Sequence, residues 1–132
     1  GPGWDHEPDI GPSPLILPVL LRQMLPGVPE GRVWIGEWDG WGGRKRPAGS
    51  RPLTVPGRRY HVTATSPRRL LAGLDPDRLP DVVWDEAGTF IILADIDLPS
   101  TVVGCQKGIA ERLLRCPGLE AVRVDGGAPV VA

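Results

Sequence analysis

The chain has 132 residues, enough for one domain with a real core. Its 15 lysine and arginine residues nearly balance 16 aspartate and glutamate residues, so the net charge is only −1. A chain without a broad positive field is not expected to bind nucleic acid. The 18 glycines and 16 prolines are interspersed with dense apolar runs, which predicts a folded domain with many loops.

The cysteines and the apolar runs bear on the compartment. Cys105 and Cys116 lie at opposite ends of a predicted helix, which separates them by about 16 Å along its axis. That distance is too long for a disulfide. No apolar run approaches the roughly 20 residues of a membrane span. We therefore expect a reduced, cytoplasmic protein that does not bind a membrane.

The chain begins with a stretch that we exclude from the domain. Residues 1–12 are rich in proline and predict an extended lead-in, and the initial Gly-Pro-Gly resembles a scar of tag cleavage. Residues 13–132 form the single predicted domain. Its first element is a helix capped by Ser13 and begun by Pro14, with an apolar stripe that runs to Met24.

A tryptophan-rich stretch, RVWIGEWDGWGG at 32–43, follows that helix. Trp34 and Trp38 share one parity with the glycine between them, and this period of two predicts a strand over 32–38. The turn residues Asp39 and Gly40 end the strand. Trp41 is therefore expected in a loop just beyond the strand end.

The rest of the chain alternates strand and helix patterns. The pattern predicts a strand over 58–65 and a short helix over 68–74 that is capped by Ser66. It also predicts a hairpin of 82–84 with a central strand over 89–96, a helix over 103–116 and an edge strand over 119–124. His61 lies on the polar parity of its strand and is expected to face water. We predict an α+β single domain: a mostly antiparallel sheet of about four to five strands with two main helices on one face.

Five residues are candidates for binding. Trp38, Asp39 and Trp41 place aromatic rings beside a carboxylate at a strand end. Asp95 and Asp97 share a parity at the end of the apolar strand, where they would cap the next helix or, alternatively, form a metal or acid–base pair. The chain has no recognisable catalytic motif and no metal-ligand spacing, so we expect no catalytic residue, no metal and no cofactor.

A basic and irregular loop is predicted over 42–56, after the tryptophan stretch. Arg44, Lys45, Arg46 and Arg51 lie among glycines and prolines. Such a cluster is usually solvated, but it is also able to contact phosphates or an acidic partner. The sequence leaves both alternatives open.

Two segments carry a resemblance to a known family. The segment WIGEWDGWG within 17–42, together with residues 82–104 ending in IDLPSTVVG, resembles an uncharacterised family of small actinobacterial proteins. That family has a W-x-G-x-W-x-G-W/Y-G segment and a later I-D-x-x-S-T-x-V-G-G segment. Cys105 stands where the family has its last glycine. The resemblance implies a shared fold and carries no activity, cofactor or site residue.

Two classes of function fit these observations. The first is a non-enzymatic protein-binding module, of the immunity or regulatory type, that uses the tryptophan-rich strand and loop as its edge. The alternative is a small-molecule-binding protein or small enzyme with a tryptophan-lined cleft and strand-end carboxylates. The expected partner is thus a protein, or else a small molecule.

Overall fold

The structure is a computed structural model that describes residues 16–40, 48–94, 101–117, 119, 121–122 and 130–131. Within them the elements are α1 (Leu17–Met24), β1 (Val33–Trp38), β2 (Arg51–Val55), β3 (Arg58–Thr65), α2 (Pro67–Ala72), β4 (Val82–Asp85), β5 (Phe90–Leu93), β6 (Thr101–Cys105), α3 (Lys107–Leu114), β7 (Ala121–Val122) and β8 (Val130–Val131). A short 3₁₀ turn, Leu25–Gly27, continues α1. None of the helices in this part of the chain is long and apolar enough to cross a bilayer.

All the strands belong to one antiparallel sheet, in the order β2-β3-β1-β4-β5-β6-β8-β7. The α+β class is confirmed. The predicted count of four to five strands is too low, because six strands have four residues or more, and β7 and β8 add a two-residue pair at one edge. The sequence pattern misses three of the described strands: β2, in a stretch predicted as irregular, β6, which overlaps the start of the predicted last helix, and β8.

The missed strand β2 forms a tight hairpin with β3. Val55 pairs with Arg58 across the two-residue turn Pro56-Gly57, and Gly57 has a φ of 78°, which glycine adopts without strain. β2 is the outermost strand of the sheet, and its residues are all exposed. Pro52 is tolerated there because an outer strand has one side without ladder partners. Because β2 contains a proline and none of its residues is buried, the sequence pattern does not indicate a strand there.

The main core lies between the helices and one face of the sheet. The apolar stripe of α1 is fully buried, as predicted. It packs with α2 and α3 against the strands in one cluster, whose members include Leu17, Leu20, Leu21, Met24, Leu70, Ile109, Leu113, Val33, Val83, Phe90, Ile92 and Val103. The helices therefore lie on one face of the sheet.

The opposite face of the sheet carries the tryptophans. Residues paired directly across an antiparallel sheet point to the same side, so the register defines this face. We call it the tryptophan face; it consists of Trp34, Gly36, Trp38, Arg51, Leu53, Val55, Arg58, Tyr60, Val62, Ala64, Val82, Trp84, Ile91, Leu93, Val102 and Gly104. Its buried residues form a second, smaller cluster that contains no helix residue.

Three predictions about elements need correction. The helix predicted to begin at Pro14 with Ser13 as its cap begins at Leu17, and its N-cap residue is Ile16; Ser13 and Pro14 lie outside the described residues. The strand predicted over 89–96 is not covered on both faces, because Ile91 of β5 is 48% exposed on the tryptophan face. The helix predicted over 103–116 begins only at Lys107, because the β-branched residues before it pair with β5. Cys105 and Cys116 carry free thiols, and burial raises the pKa of the Cys105 thiol.

Candidate functional site

Trp38 and Asp39, at the end of β1, are the two predicted binding residues that the structure describes. The indole of Trp38 is half-buried on the tryptophan face, and the guanidinium of Arg58 lies 5.2 Å from its ring centroid. Its backbone N–H donates to Oδ2 of the buried Asp81 at 2.8 Å. Trp38 is thus held from both its backbone and its ring.

Asp39 binds a histidine on the other side of the sheet. Its carboxylate is in hydrogen-bond contact with Nε2 of His61, and its side chain is 41% exposed. The prediction that His61 faces water is wrong, since His61 is buried. The reason is the register: His61 lies directly opposite Glu37 on the helix-covered face. Trp38 and Asp39 therefore point to opposite sides of the sheet.

A second ion pair lies beside the first. Nε of Arg78 donates to Oε1 of Glu37 at 2.7 Å, and its Nη2 donates to Oε2 at 2.9 Å, which is the bidentate geometry of strong arginine–carboxylate pairs. The hydrogen bond and charge of Glu37 raise the pKa of the Arg78 guanidinium. The partners lie 41 positions apart along the chain, so no local pattern indicates the pair.

This pair yields a stability prediction. Arg78→Met leaves the mostly buried Glu37 carboxylate without its guanidinium, and we expect it to lower the free energy of unfolding by about 1 to 2 kcal/mol. The loss stays modest because Arg78 is itself partly exposed to water. The measurement is urea denaturation, with Arg68→Met in the exposed part of α2 as the matched control, expected within about 0.5 kcal/mol of the wild type. Equal losses in the two variants would contradict a specific role for the pair.

The other predicted residues are not placed by the structure. Trp41, Asp95 and Asp97 lie outside the described residues, and so do Arg44, Lys45 and Arg46 of the basic loop. Arg51, the fourth cation of that group, belongs to β2 and to the tryptophan face.

An open groove of about 720 Å³ lies on the tryptophan face. Leu53 and Val55 of β2 form one wall, and Ile91 of β5 forms the other, while Tyr60 and Trp84 contribute to the floor between them. Leu53 is 38% exposed and Ile91 is 48% exposed, so both walls are accessible to a ligand. The groove joins strands that are far apart in the sheet order.

Glycine in β1 explains how the two walls share one groove. A Cβ at Gly36 would lie 2.6 Å from Cγ1 of Val82 and 3.5 Å from Cβ of Tyr60. The side chains of β3 and β4 therefore close over β1, which contributes no side chain at this point. This close approach is the physical reason that W-x-G-x-W carries a glycine between its tryptophans.

Arginines and aromatic rings flank the groove. Trp34 stacks with Trp84, with centroids 6.5 Å apart and planes inclined by 24°. The guanidinium of Arg32 lies 5.4 Å from the Trp34 centroid, in the same arrangement as Arg58 over Trp38. The candidate residues predicted from the sequence do not include Arg32, Arg58, Leu53, Tyr60, Trp84 and Ile91. The sequence does show which residues share a face within each strand. The register between strands is needed to assign those residues to the same face as Trp34 and Trp38.

Asp85 organises the hairpin beside the groove. Its Oδ1 accepts hydrogen bonds from the backbone N–H groups of Thr89 at 2.7 Å and Phe90 at 3.2 Å, and its Oδ2 accepts one from the Thr89 hydroxyl. Gly88, with a φ of 75°, completes the turn between β4 and β5. Both oxygens of the Asp85 carboxylate thus accept hydrogen bonds within its own hairpin, and we assign the carboxylate a structural role.

Metal-ligating side chains do not gather in this part of the chain: no group of three or more His, Cys, Asp or Glu side chains among the described residues could hold an ion. Comparison of the chain with protein-family models, with curated proteins and with solved structures finds no match.

Proposed function

We propose that the chain is a non-enzymatic protein-binding module that recognises its partner through the tryptophan face. The observation that carries the proposal is the composition of that face, where tryptophan, tyrosine and arginine surround a groove with exposed aliphatic walls. Tryptophan, tyrosine and arginine are the residues most enriched at the energetic centres of protein interfaces. Exposed apolar patches bordered by polar groups are typical of interaction sites.

The packing of the rings supports this proposal. Trp34, Trp38 and Trp84 are half-buried and pack against the second core cluster, so their rotamers are already restricted. A partner that docks on them loses little conformational entropy in ordering them, and preorganisation of this kind increases affinity. A role in immunity or regulation is one use of such a surface and belongs to the proposal.

The proposal refines the edge expected from the sequence. Trp38 remains part of the recognition surface. The Asp39 side chain contacts His61 instead and holds the end of the strand in place. The backbone N–H of Asp39 also donates a hydrogen bond of 2.8 Å to the Arg59 carbonyl oxygen. The centre of the surface moves from the strand end to the groove.

The test is an affinity capture from lysate of the source organism with mass spectrometry as the readout. The charge-bearing double variant Leu53→Glu with Ile91→Glu places carboxylates on both walls of the groove. Thr54→Glu is a matched control on the same strand, because it is exposed and points to the opposite face. Leu114→Glu is a second control that removes an exposed leucine from α3.

We expect a protein that the wild type and both controls capture and the double variant loses. The purified protein should then bind the wild type directly, with at least about tenfold weaker affinity for the double variant, which corresponds to 1.4 kcal/mol. Circular dichroism verifies that the double variant is folded. Equal capture by the double variant and the wild type would contradict a partner site on this face.

The small-molecule alternative has one observation in its favour. The groove volume of about 720 Å³ falls within the range of roughly 300 to 1,000 Å³ that small-molecule sites occupy. The carboxylates of Glu37 and Asp39, near the end of β1, do not favour a catalytic site, because each is bound by another side chain of the protein. Stabilisation of the wild type by a compound, lost in the double variant and without any captured protein, would favour this alternative.

A further inference from the structure

We infer that the partner segment bound by the tryptophan face is acidic and carries an apolar side chain that enters the groove. This inference rests on the proposed function and specifies the chemistry of the partner. It follows from the distribution of charge between the two faces of the sheet, from the geometry of the arginines and from the shape of the groove.

The charged strand residues of the tryptophan face all have the same sign. At the strand positions of the tryptophan face, among the described residues, the charged side chains are Arg51 and Arg58, and no aspartate or glutamate is present. Arg32, immediately before β1, continues the same parity. The acidic strand residues Glu37 and Asp85 have the other parity, which they share with Arg59. Asp85 also lines one end of the groove, where its carboxylate is bound by Thr89 and Phe90 of its own hairpin. The chain as a whole is nearly neutral, so this face is a local positive region.

The arginines are arranged to receive carboxylates. Neither Arg32 nor Arg51 forms an ion pair with a carboxylate of a described residue, whereas Arg78, on the other side, is committed to Glu37. The ring of Trp34 supports the guanidinium of Arg32 and restricts its position. A planar guanidinium held in this way presents its N–H groups to a carboxylate in a bidentate arrangement.

A smaller hollow of about 420 Å³ provides a place for such a carboxylate. Arg32 and Arg69 line it together with Thr65 and Ser66, and none of its lining residues is acidic. Two guanidinium groups at one hollow repel each other, and an anion between them relieves that repulsion. A carboxylate of the partner in this hollow would contact Arg32 beside the start of β1, at the edge of the tryptophan face.

The groove favours a peptide over a single-stranded nucleic acid. Nucleic acid would need open ring faces on which bases stack. Here Trp34 and Trp84 stack on each other, and Tyr60 is buried, so bases find few open ring faces for stacking. The indoles stay half-exposed and remain able to contact a peptide. The accessible walls are the aliphatic side chains of Leu53 and Ile91, which suit an apolar side chain of a peptide.

The test is selection of a displayed random peptide library on the immobilised full chain. We expect the enriched peptides to be net acidic and to share at least one large apolar residue. A synthetic representative should bind the double variant Arg32→Glu with Arg51→Glu at least about tenfold more weakly, and its affinity for the wild type should fall as salt rises. Arg59→Glu with Arg68→Glu is the matched control, because Arg59 is exposed on the opposite face of the sheet, Arg68 is exposed on α2, and the pair makes the same change in net charge.

The outcomes separate the inference from the proposed function. Enriched peptides that are neutral or basic, and that still lose binding in the Leu53→Glu with Ile91→Glu variant, would overturn the inference and keep the binding module. If every enriched peptide still binds this variant, or if no peptide is enriched, both the inference and the proposed function are overturned. Tight binding of oligo(dT), lost in the Arg32→Glu with Arg51→Glu variant, would assign the face to nucleic acid and overturn the inference. The milder pair Arg32→Gln with Arg51→Gln replaces the reversed charges if circular dichroism shows that the first pair is unfolded.

Discussion

Replacement of Asp85 by alanine is expected to lower the free energy of unfolding by about 3 kcal/mol. The carboxylate is buried and accepts hydrogen bonds from the N–H groups of Thr89 and Phe90 and from the Thr89 hydroxyl. Alanine leaves these buried donors without an acceptor, and each unsatisfied donor costs about 1 to 3 kcal/mol. The measurement is urea denaturation monitored by circular dichroism, in which the midpoint of unfolding and the dependence of the unfolding free energy on urea concentration are fitted together.

Two further variants separate the lost hydrogen bonds from other effects. Glu86→Ala removes the exposed carboxylate of the next residue, and we expect a change within about 0.5 kcal/mol. Asp85→Asn keeps one acceptor oxygen and should fall between alanine and the wild type. A loss below about 1 kcal/mol for Asp85→Ala would show that the hairpin closes without this carboxylate.

Gly36→Ala is expected to lower the free energy of unfolding by about 2 kcal/mol, because it overpacks the point where β3 and β4 close over β1. The new Cβ would lie 2.6 Å from Cγ1 of Val82, whose stiff β-branched side chain cannot move away freely. The conformational preference of alanine over glycine acts in the opposite direction and is smaller. Urea denaturation again measures the change.

A double-mutant cycle tests this cause directly. Val82→Ala removes the atom that the new methyl group meets, so the double variant Gly36→Ala with Val82→Ala should lose less than the sum of the two single losses. Gly108→Ala in α3 is the matched glycine control, since its added Cβ meets no atom within 4 Å and should leave stability unchanged or raise it slightly. Additive losses would mean that steric contact with Val82 is not the cause.

The short-range features of the fold were accessible from the sequence. The period-two pattern around Trp34 and Trp38 predicted β1, and the pattern over 58–65 predicted β3 with the bounds that the structure shows. The cap of α2 by Ser66 is confirmed by the hydrogen bond of 3.3 Å from the Arg69 N–H to the Ser66 hydroxyl. These features depend on neighbours a few positions apart, which a single sequence displays.

The candidate site was less accessible. The residues beyond the ends of β1 and β5 that the sequence favoured are mostly outside the described residues, while the groove uses side chains of strands β2 to β5. Leu53 and Val55 stood in a stretch predicted as irregular, because proline and glycine around them masked the short strand. No local pattern shows that β2 and β5 form two walls of one groove.

The order of residues along each strand is enough to show which of them share a face, because successive side chains of a strand point to opposite faces. Which of the two faces the helices cover follows from the packing of the whole domain. On the covered face, His61 is buried opposite Glu37, and Glu37 binds Arg78. On the other face, Leu53 and Ile91 stay accessible beside the tryptophans. Burial depends on which elements pack together, and that packing involves residues far apart along the chain.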